Sequence, residues 1–269
     1  MKVAYMTNAW GAVMAHCGAA NNVNAAFYVS TGADADAVSG IAAAGFEQIE
    51  IFDGNLLAYQ GKEAAFKELL AKNKVSLLAV YSAACFIYGE ILEEELCKLK
   101  KGAEFAKQFG ATEIALGGGA TRAGGIQEAD YGKLAAALDK VCAMAEPLGM
   151  TVSYHPHMGS LVETPEQLDK VMPKTRARLC PDTGHVVLGG GDPRAVVQKY
   201  ADRISYIHLK DVTKDGVFCP LGKGVVDIPG IVNALKGKNV KFAVECDGWP
   251  GDPAEGARIS AEYLARLGF

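Results

Sequence analysis

The stretch Tyr154 to Ser160, "YHPHMGS", sets His155 and His157 on either side of a proline, directly after the apolar run "MTVSY". Two imidazoles so placed suit metal ligation, proton transfer near neutral pH, or both. Other apolar runs end in side chains of the same kind. "RARLCPD" ends at Asp182 with His185 close behind, "RISYIHL" delivers His208 and then Lys210 and Asp211, "VKFAVEC" ends at Glu245 and Asp247, and "FEQIEIF" carries Glu50. His155, Asp182, His208 and Glu245 are imidazole and carboxylate donors without a thiolate among them. That set suits a catalytic divalent ion, with manganese the first expectation and cobalt, iron or zinc the alternatives, and argues against a structural zinc site. His157, His185 and Glu245 are the candidate acids and bases. Glu50, Lys210, Trp10, Asn8 and Arg122 are candidate substrate contacts. Each has a plainer reading: a rim ion pair for Glu50, pairing with Asp211 for Lys210, core packing for Trp10. Arg122 and Lys223 are the cations able to hold a phosphate, but no anion nest surrounds them, so an unphosphorylated substrate is expected.

These residues need elements that bring them together. Eight short apolar runs, at residues 2–7, 46–52, 75–82, 112–117, 150–155, 176–182, 203–209 and 240–246, read as strands. Amphipathic helical patterns lie between them, several closed by glycine, such as "ADAVSGIAAAG" and "EEELCKLKKGAEFAKQFG". Four later ones start with a capping residue before or beside proline: "TPEQLDKVM", "DPRAVVQKYA", "DIPGIVNAL" and "DPAEGARISAEYLARLG". Eight β-α units in 269 residues average about 34 residues each, one βαβ step apiece. No linker divides the chain, so one domain over 1–269 is expected, an α/β fold of the (β/α)8 barrel type. An open doubly wound sheet is disfavoured because no GxGxxG follows the first strand. In such barrels chemistry sits at the C-terminal ends of the strands. Four of the five histidines converge there, whereas ordinary core or surface histidines would scatter.

Composition narrows the partners. A net charge of -4 with interspersed signs leaves no basic patch for nucleic acid or anionic lipid. The seven cysteines are scattered without CxxC or paired spacing and read as buried thiols in a reducing compartment. "MKVAYMTNAW" has no signal-peptide pattern and no window approaches a membrane span, so a cytoplasmic protein is expected. The loops "GGGATRAGG" and "GGGD" read as flexible barrel loops. Residues 11–32, which include His16, are too long for a plain turn and suggest a lid or a contact in a homo-oligomer.

"DTGH", "HLKDV" followed by "PLGKGVVDIPGIVNAL", and a closing "VEC" with "YLARLGF" resemble the sugar phosphate isomerase/epimerase family with its xylose isomerase-like barrel, over essentially the whole chain. Within it, "YHPHMGSLVETPEQLDKVM" is most similar to the inosose dehydratases, whose fifth strand ends in a like His-x-His-Met-Gly segment. The resemblance implies Glu, Asp, His and Glu ligands from strands five to eight. Asp182, His208 and Glu245 match the last three, and His155 stands where most members have glutamate. The family's epimerases use two opposed metal-bound glutamates, so this departure favours elimination, which needs one base and one acid, on a keto-polyol or keto-sugar. The implied activity is that of a metal-dependent lyase of the dehydratase type. A ketose 3-epimerase-like isomerase and a non-catalytic polyol-binding barrel are the alternatives. An endonuclease IV-like DNA repair enzyme shares the barrel type but resembles proteins with a richer His/Glu cluster and a basic DNA face, and five histidines with a net charge of -4 count against it.

Overall fold

The structure, a computed structural model, describes residues 1–11, 13–14 and 27–269. Eight parallel strands form the barrel: β1 (Ala4–Met6), β2 (Gln48–Phe52), β3 (Ser76–Ala83), β4 (Glu113–Gly117), β5 (Thr151–His155), β6 (Arg178–Leu179), β7 (Tyr206–Leu209) and β8 (Lys241–Val244). They are hydrogen-bonded in the order β6-β5-β4-β3-β2-β1-β8-β7. Two isolated parallel bridges, Leu179 with Ile204 and Asp182 with His208, bring β6 against β7 and nearly close the ring. All eight expected strands are present. β6 is shorter than its apolar run, and Asp182 reaches its bridge beyond the regular ladder.

Alternation along the strands decides what faces inward. Ala4, Met6, Phe52, Ala79, Tyr81, Ala83, Ala115, Cys180, Tyr206 and Ala243 form one buried cluster inside the ring. Their alternating neighbours, including Tyr5, Ile49, Ile51, Val80 and Ile114, pack outward against the helices in a second and larger cluster. The same step of two carries the inward face from Met6 to Asn8, from Tyr206 to His208 and from Ala243 to Glu245. One parity therefore sets both the barrel's filling and the identity of the side chains at its mouth.

The helices follow the expected spacing: α1 (Asp34–Ala43), α2 (Asp53–Leu57), α3 (Glu63–Asn73), α4 (Leu92–Lys107), α5 (Glu128–Ala145), α6 (Pro165–Val171), α7 (Thr183–Leu188), α8 (Pro193–Tyr200), α9 (Ile228–Ala234) and α10 (Pro253–Arg266). The capping signals work as read. Thr164, Asp192, Asp227 and Asp252 each accept a backbone N–H in the first turn of a helix that carries proline there. Two one-turn helices, α2 and α7, have no periodic signal of their own and are set by the strand ends before them; Asp182 caps α7 by accepting from the His185 N–H at 2.9 Å. Asp211 shapes "PLGKGVV" by accepting the N–H groups of Gly222, Gly224 and Val226. A Cβ on Gly224 would lie 2.3 Å from the Asp211 carboxylate, which is why glycine stands there. In the segment 11–32, Val13–Met14 pairs antiparallel with Val29–Ser30; residues 12 and 15–26, with His16, lie outside the described residues. Among the described residues no helix is long and apolar enough to cross a membrane, and six cysteines are unpaired.

Candidate active site and metal centre

The ends of β5 to β8 bring His155, Asp182, His208 and Glu245 together, each offering a donor atom within 4.8 Å of the others. All four are buried. His208 Nδ1 lies 2.7 Å from Glu245 Oε2 and 3.9 Å from Asp182 Oδ2, and His155 Nε2 lies 3.4 Å from Asp182 Oδ2. The other His208 nitrogen, Nε2, is 3.0 Å from Glu50 Oε2, an oxygen that also accepts from the Tyr206 hydroxyl. Glu50 thus serves neither the rim nor the cavity. It is fully buried and orients His208 from behind, as carboxylates do for metal-binding imidazoles. Asn8, expected beside a substrate, donates its amide to Glu245 Oε1 at 2.8 Å and to Asp247, so it fixes a carboxylate while also lining the cavity.

Whether these residues fit a divalent ion is tested by what they lack. Both nitrogens of His155 are buried with no hydrogen-bond partner, although His155 stands at the centre of the group. Buried polar atoms left unmatched in this way cost about 1–3 kcal/mol each unless something else satisfies them. Two imidazoles and two carboxylates around one point, with a carboxylate behind one imidazole, are what a borderline divalent ion takes. The residues fit. Electrostatics agree with a site prepared for positive charge. Burial raises the Asp182 carboxyl, but Lys210, His185 and His155 outweigh it and hold it well below the usual range. Burial lowers His208, and the neighbouring Cys180 together with the carboxylates of Glu50 and Glu245 reverses this and holds it well above its ordinary value. Burial, the largest cause, joins with His208 and His157 to hold His155 well below its ordinary value against the pull of Asp182, which leaves it neutral.

A second group, His157, His185 and Asp247, adjoins the first. Lys210 joins the two. Fully buried, its ammonium lies 2.9 Å from Asp182 Oδ2, 3.0 Å from Glu245 Oε2, 2.7 Å from Asp247 Oδ2 and 3.0 Å from His185 Nε2. It therefore does not pair with Asp211, whose carboxylate is taken by the loop amides. Gly184 of "DTGH" lies under this lysine, and a Cβ there would approach Lys210 Cγ to 2.9 Å. The His157 and His185 rings sit 3.7 Å apart. Burial, His185 and Lys210 together push His157 down to about 4, so it is neutral at pH 7. Its Nδ1 is 2.7 Å from the Met158 carbonyl, which can only accept; Nδ1 carries the hydrogen and Nε2 keeps its lone pair.

Above these groups opens a cavity of about 1030 Å³ whose wall includes His157, Glu245, Asp247, Asn8, Trp10 and Trp249. Arg122 is elsewhere: its guanidinium grips Asp130 through three contacts of 2.9 to 3.1 Å, and it lines a separate, smaller cavity. Asp247 and Trp249 went unassigned in the sequence. The signal was present in "ECDGW", where a step of two from Glu245 keeps Asp247 on the inward parity.

A family model described as the xylose isomerase-like TIM barrel matches residues 38–267. The chain is 30% identical over 237 residues to an inosose dehydratase of Geobacillus kaustophilus, a match covering 72% of this chain and 75% of that one. Among solved structures it is similar to a probable 3-DHS dehydratase from Bacillus anthracis, with a TM-score of 0.76 at 15% identity over 98% of this chain and 99% of that one. It is also similar to an IolI protein solved with a zinc atom, with a TM-score of 0.75 at 16% identity over 99% and 98% of the two chains. At those identities the structural likeness speaks for the fold. The chain belongs to the xylose isomerase-like TIM barrel family.

Proposed function

We propose that the protein is a metal-dependent dehydratase that removes a proton beside the ketone of a keto-inositol or related keto-sugar and expels a β-oxygen substituent, working in the cytoplasm. The observation that carries this reading is a neutral imidazole with a free lone pair, His157 Nε2, on a cavity wall beside a buried four-donor cage. A divalent ion held by His155, Asp182, His208 and Glu245, manganese first, would supply positive charge to the ketone oxygen and so make the neighbouring C–H bond acidic. His157 takes the proton. Glu245 is assigned to the ion rather than to proton transfer, since Asn8 holds one oxygen and His208 and Lys210 hold the other. The proton that His157 takes from carbon then serves the departing oxygen, a one-base elimination. His185 packs against His157 and keeps it neutral, while Lys210 and Asp247 fix charge below the substrate. Trp10 and Trp249 wall the ring.

The test is incubation of metal-replete protein with a keto-inositol in D2O. The expected result is a new ultraviolet absorbance from an unsaturated ketone or a diketone, and deuterium at one carbon of recovered substrate or product. Interconversion of ketose epimers with neither product would replace the dehydratase with an epimerase; binding without any reaction would leave a polyol-binding barrel.

A further inference from the structure

The cavity is too large for one ring. At roughly 30 Å³ of liquid volume per water-sized group, about 1030 Å³ has room for about thirty such groups, and a six-membered keto-polyol has only about twelve heavy atoms. The wall also includes residues that take no part in the cage. His157, Glu245 and Asp247 mark the end where chemistry is proposed. The wall then runs past Tyr28 and Tyr81 to Cys85 beyond the end of β3, and to Glu95 and Lys98 on α4. β3 is two strand positions from β5, and the Tyr81 ring lies 5.4 Å from the His155 imidazole, so the passage starts beside the cage at Tyr81 and leads outward to Cys85 and α4.

This distant end is built. Glu95 Oε2 accepts the Cys85 N–H at 2.8 Å and pairs with the Lys98 ammonium at 3.1 Å, which ties α4 to the strand end. Lys98 is 7% exposed, although much of α4 faces solvent and a lysine reaches water at little cost. Tyr28 and Tyr81 meet at 6.0 Å between ring centres, giving an aromatic side to the passage. An aromatic flank ending in a neutral ammonium–carboxylate pair suits an uncharged second ring bearing hydroxyl groups.

From this we infer that the preferred substrate is a keto-glycoside: the keto-sugar ring sits over the cage, and a second ring, joined through the β-oxygen, occupies the subsite between Tyr81 and Lys98. The inference rests on the elimination reading above and names its leaving group. Chemically the step is unchanged. His157 removes the hydrogen on the carbon beside the ketone, that electron pair becomes the carbon–carbon double bond, and the bond from the next carbon to the bridging oxygen breaks. The oxygen takes the proton and departs as an alcohol. Keto-glycoside gives unsaturated ketone plus alcohol, with no oxidant or reductant needed, because the substrate already carries the ketone.

The experiment compares three probes on manganese-loaded protein: a keto-inositol, methyl 3-keto-glucoside and phenyl 3-keto-glucoside. Binding is read by rapid-mixing tryptophan fluorescence, before turnover, because Trp10 and Trp249 line the cavity. The phenyl glycoside should bind at least tenfold more tightly than the methyl glycoside. Cys85→Trp, which fills the far end, should cut that ratio below threefold and leave the methyl glycoside within twofold of wild type. Equal affinity for the two glycosides in the wild type overturns the subsite and leaves the keto-sugar reading standing, and that comparison needs no variant to fold. A phenyl preference unchanged in folded Cys85→Trp puts the ring elsewhere and also overturns it. Failure of all three probes to bind removes the keto-sugar reading, and the subsite with it.

Discussion

The two halves of the barrel end in different chemistry. β5 to β8 deliver His155, His157, Asp182, His208, Lys210, Glu245 and Asp247, whereas β1 to β4 and their loops deliver Asn8, Trp10, Phe52, Tyr81 and Ala83 to the same mouth. In the charged half Lys210 balances the gathered carboxylates of Asp182, Glu245 and Asp247 at 2.7 to 3.0 Å. In the aromatic half the rings support one another edge to face, Phe52 with Tyr81 at 5.3 Å and Tyr5 with Trp10 at 5.7 Å. The four-donor group and the second histidine group thus come from one half, and most of the aromatic wall, Trp249 excepted, comes from the other. Two residues cross the divide: Glu50 reaches through the interior from β2 to hold His208 on β7, and Asn8 donates to Glu245 and Asp247.

The division can be broken from the charged side with large effect. Asp182→Asn keeps an acceptor for the His185 N–H that caps α7, yet removes one anionic donor. It should lose metal binding and with it all measurable turnover, as read by metal content after gel filtration. His157→Gln should lower kcat by about 10²- to 10⁴-fold, the usual worth of a positioned acid–base group, with metal content unchanged. Loss of metal in that variant would show that the second histidine group also ligates. Glu50→Gln should weaken metal affinity by about 10- to 100-fold, the range for a residue behind a ligand, and leave ring binding intact. A metal affinity equal to wild type would reduce Glu50 to packing.

From the aromatic half the expected effect is smaller and falls on stability. Asp53, fully buried with one oxygen accepting from the Tyr28 N–H, is pushed up to about 7, with burial the largest cause. Between its unfolded value near 4 and about 7 the folded protein holds a proton that the unfolded chain has released. Stability should therefore fall as pH rises through that window, by on the order of 4 kcal/mol in full. Asp53→Asn keeps the acceptor and should flatten the decline, measured by denaturant unfolding at pH 4 to 8. An unchanged slope would place the titration on another group.

Much of the barrel was legible because a two-sided apolar strand and a proline- or glycine-marked helix each carry a local signal. All eight strands, and the convergence of His155, Asp182, His208 and Glu245 on adjacent strand ends, follow from period and order alone. Roles behind the front rank did not follow. Glu50 and Lys210 appear at strand ends like any substrate contact, and only the packed interior shows Glu50 behind His208 and Lys210 below Asp247. Arg122 follows β4 in a glycine-rich loop, and nothing local in that loop signals that Asp130, eight residues on, captures its guanidinium. Lys98 sits mid-helix among charged neighbours, and its burial depends on how α4 meets β3.

The measurement that bears most directly on the central claim is anomalous diffraction from crystals of the protein loaded with manganese. One peak enclosed by His155, Asp182, His208 and Glu245, with Lys210 turned to Asp247 and His185, is the predicted result. A peak held by His157, His185 and Asp247, or a cage in which Lys210 still bridges Asp182 and Glu245 and no ion is found, would contradict it.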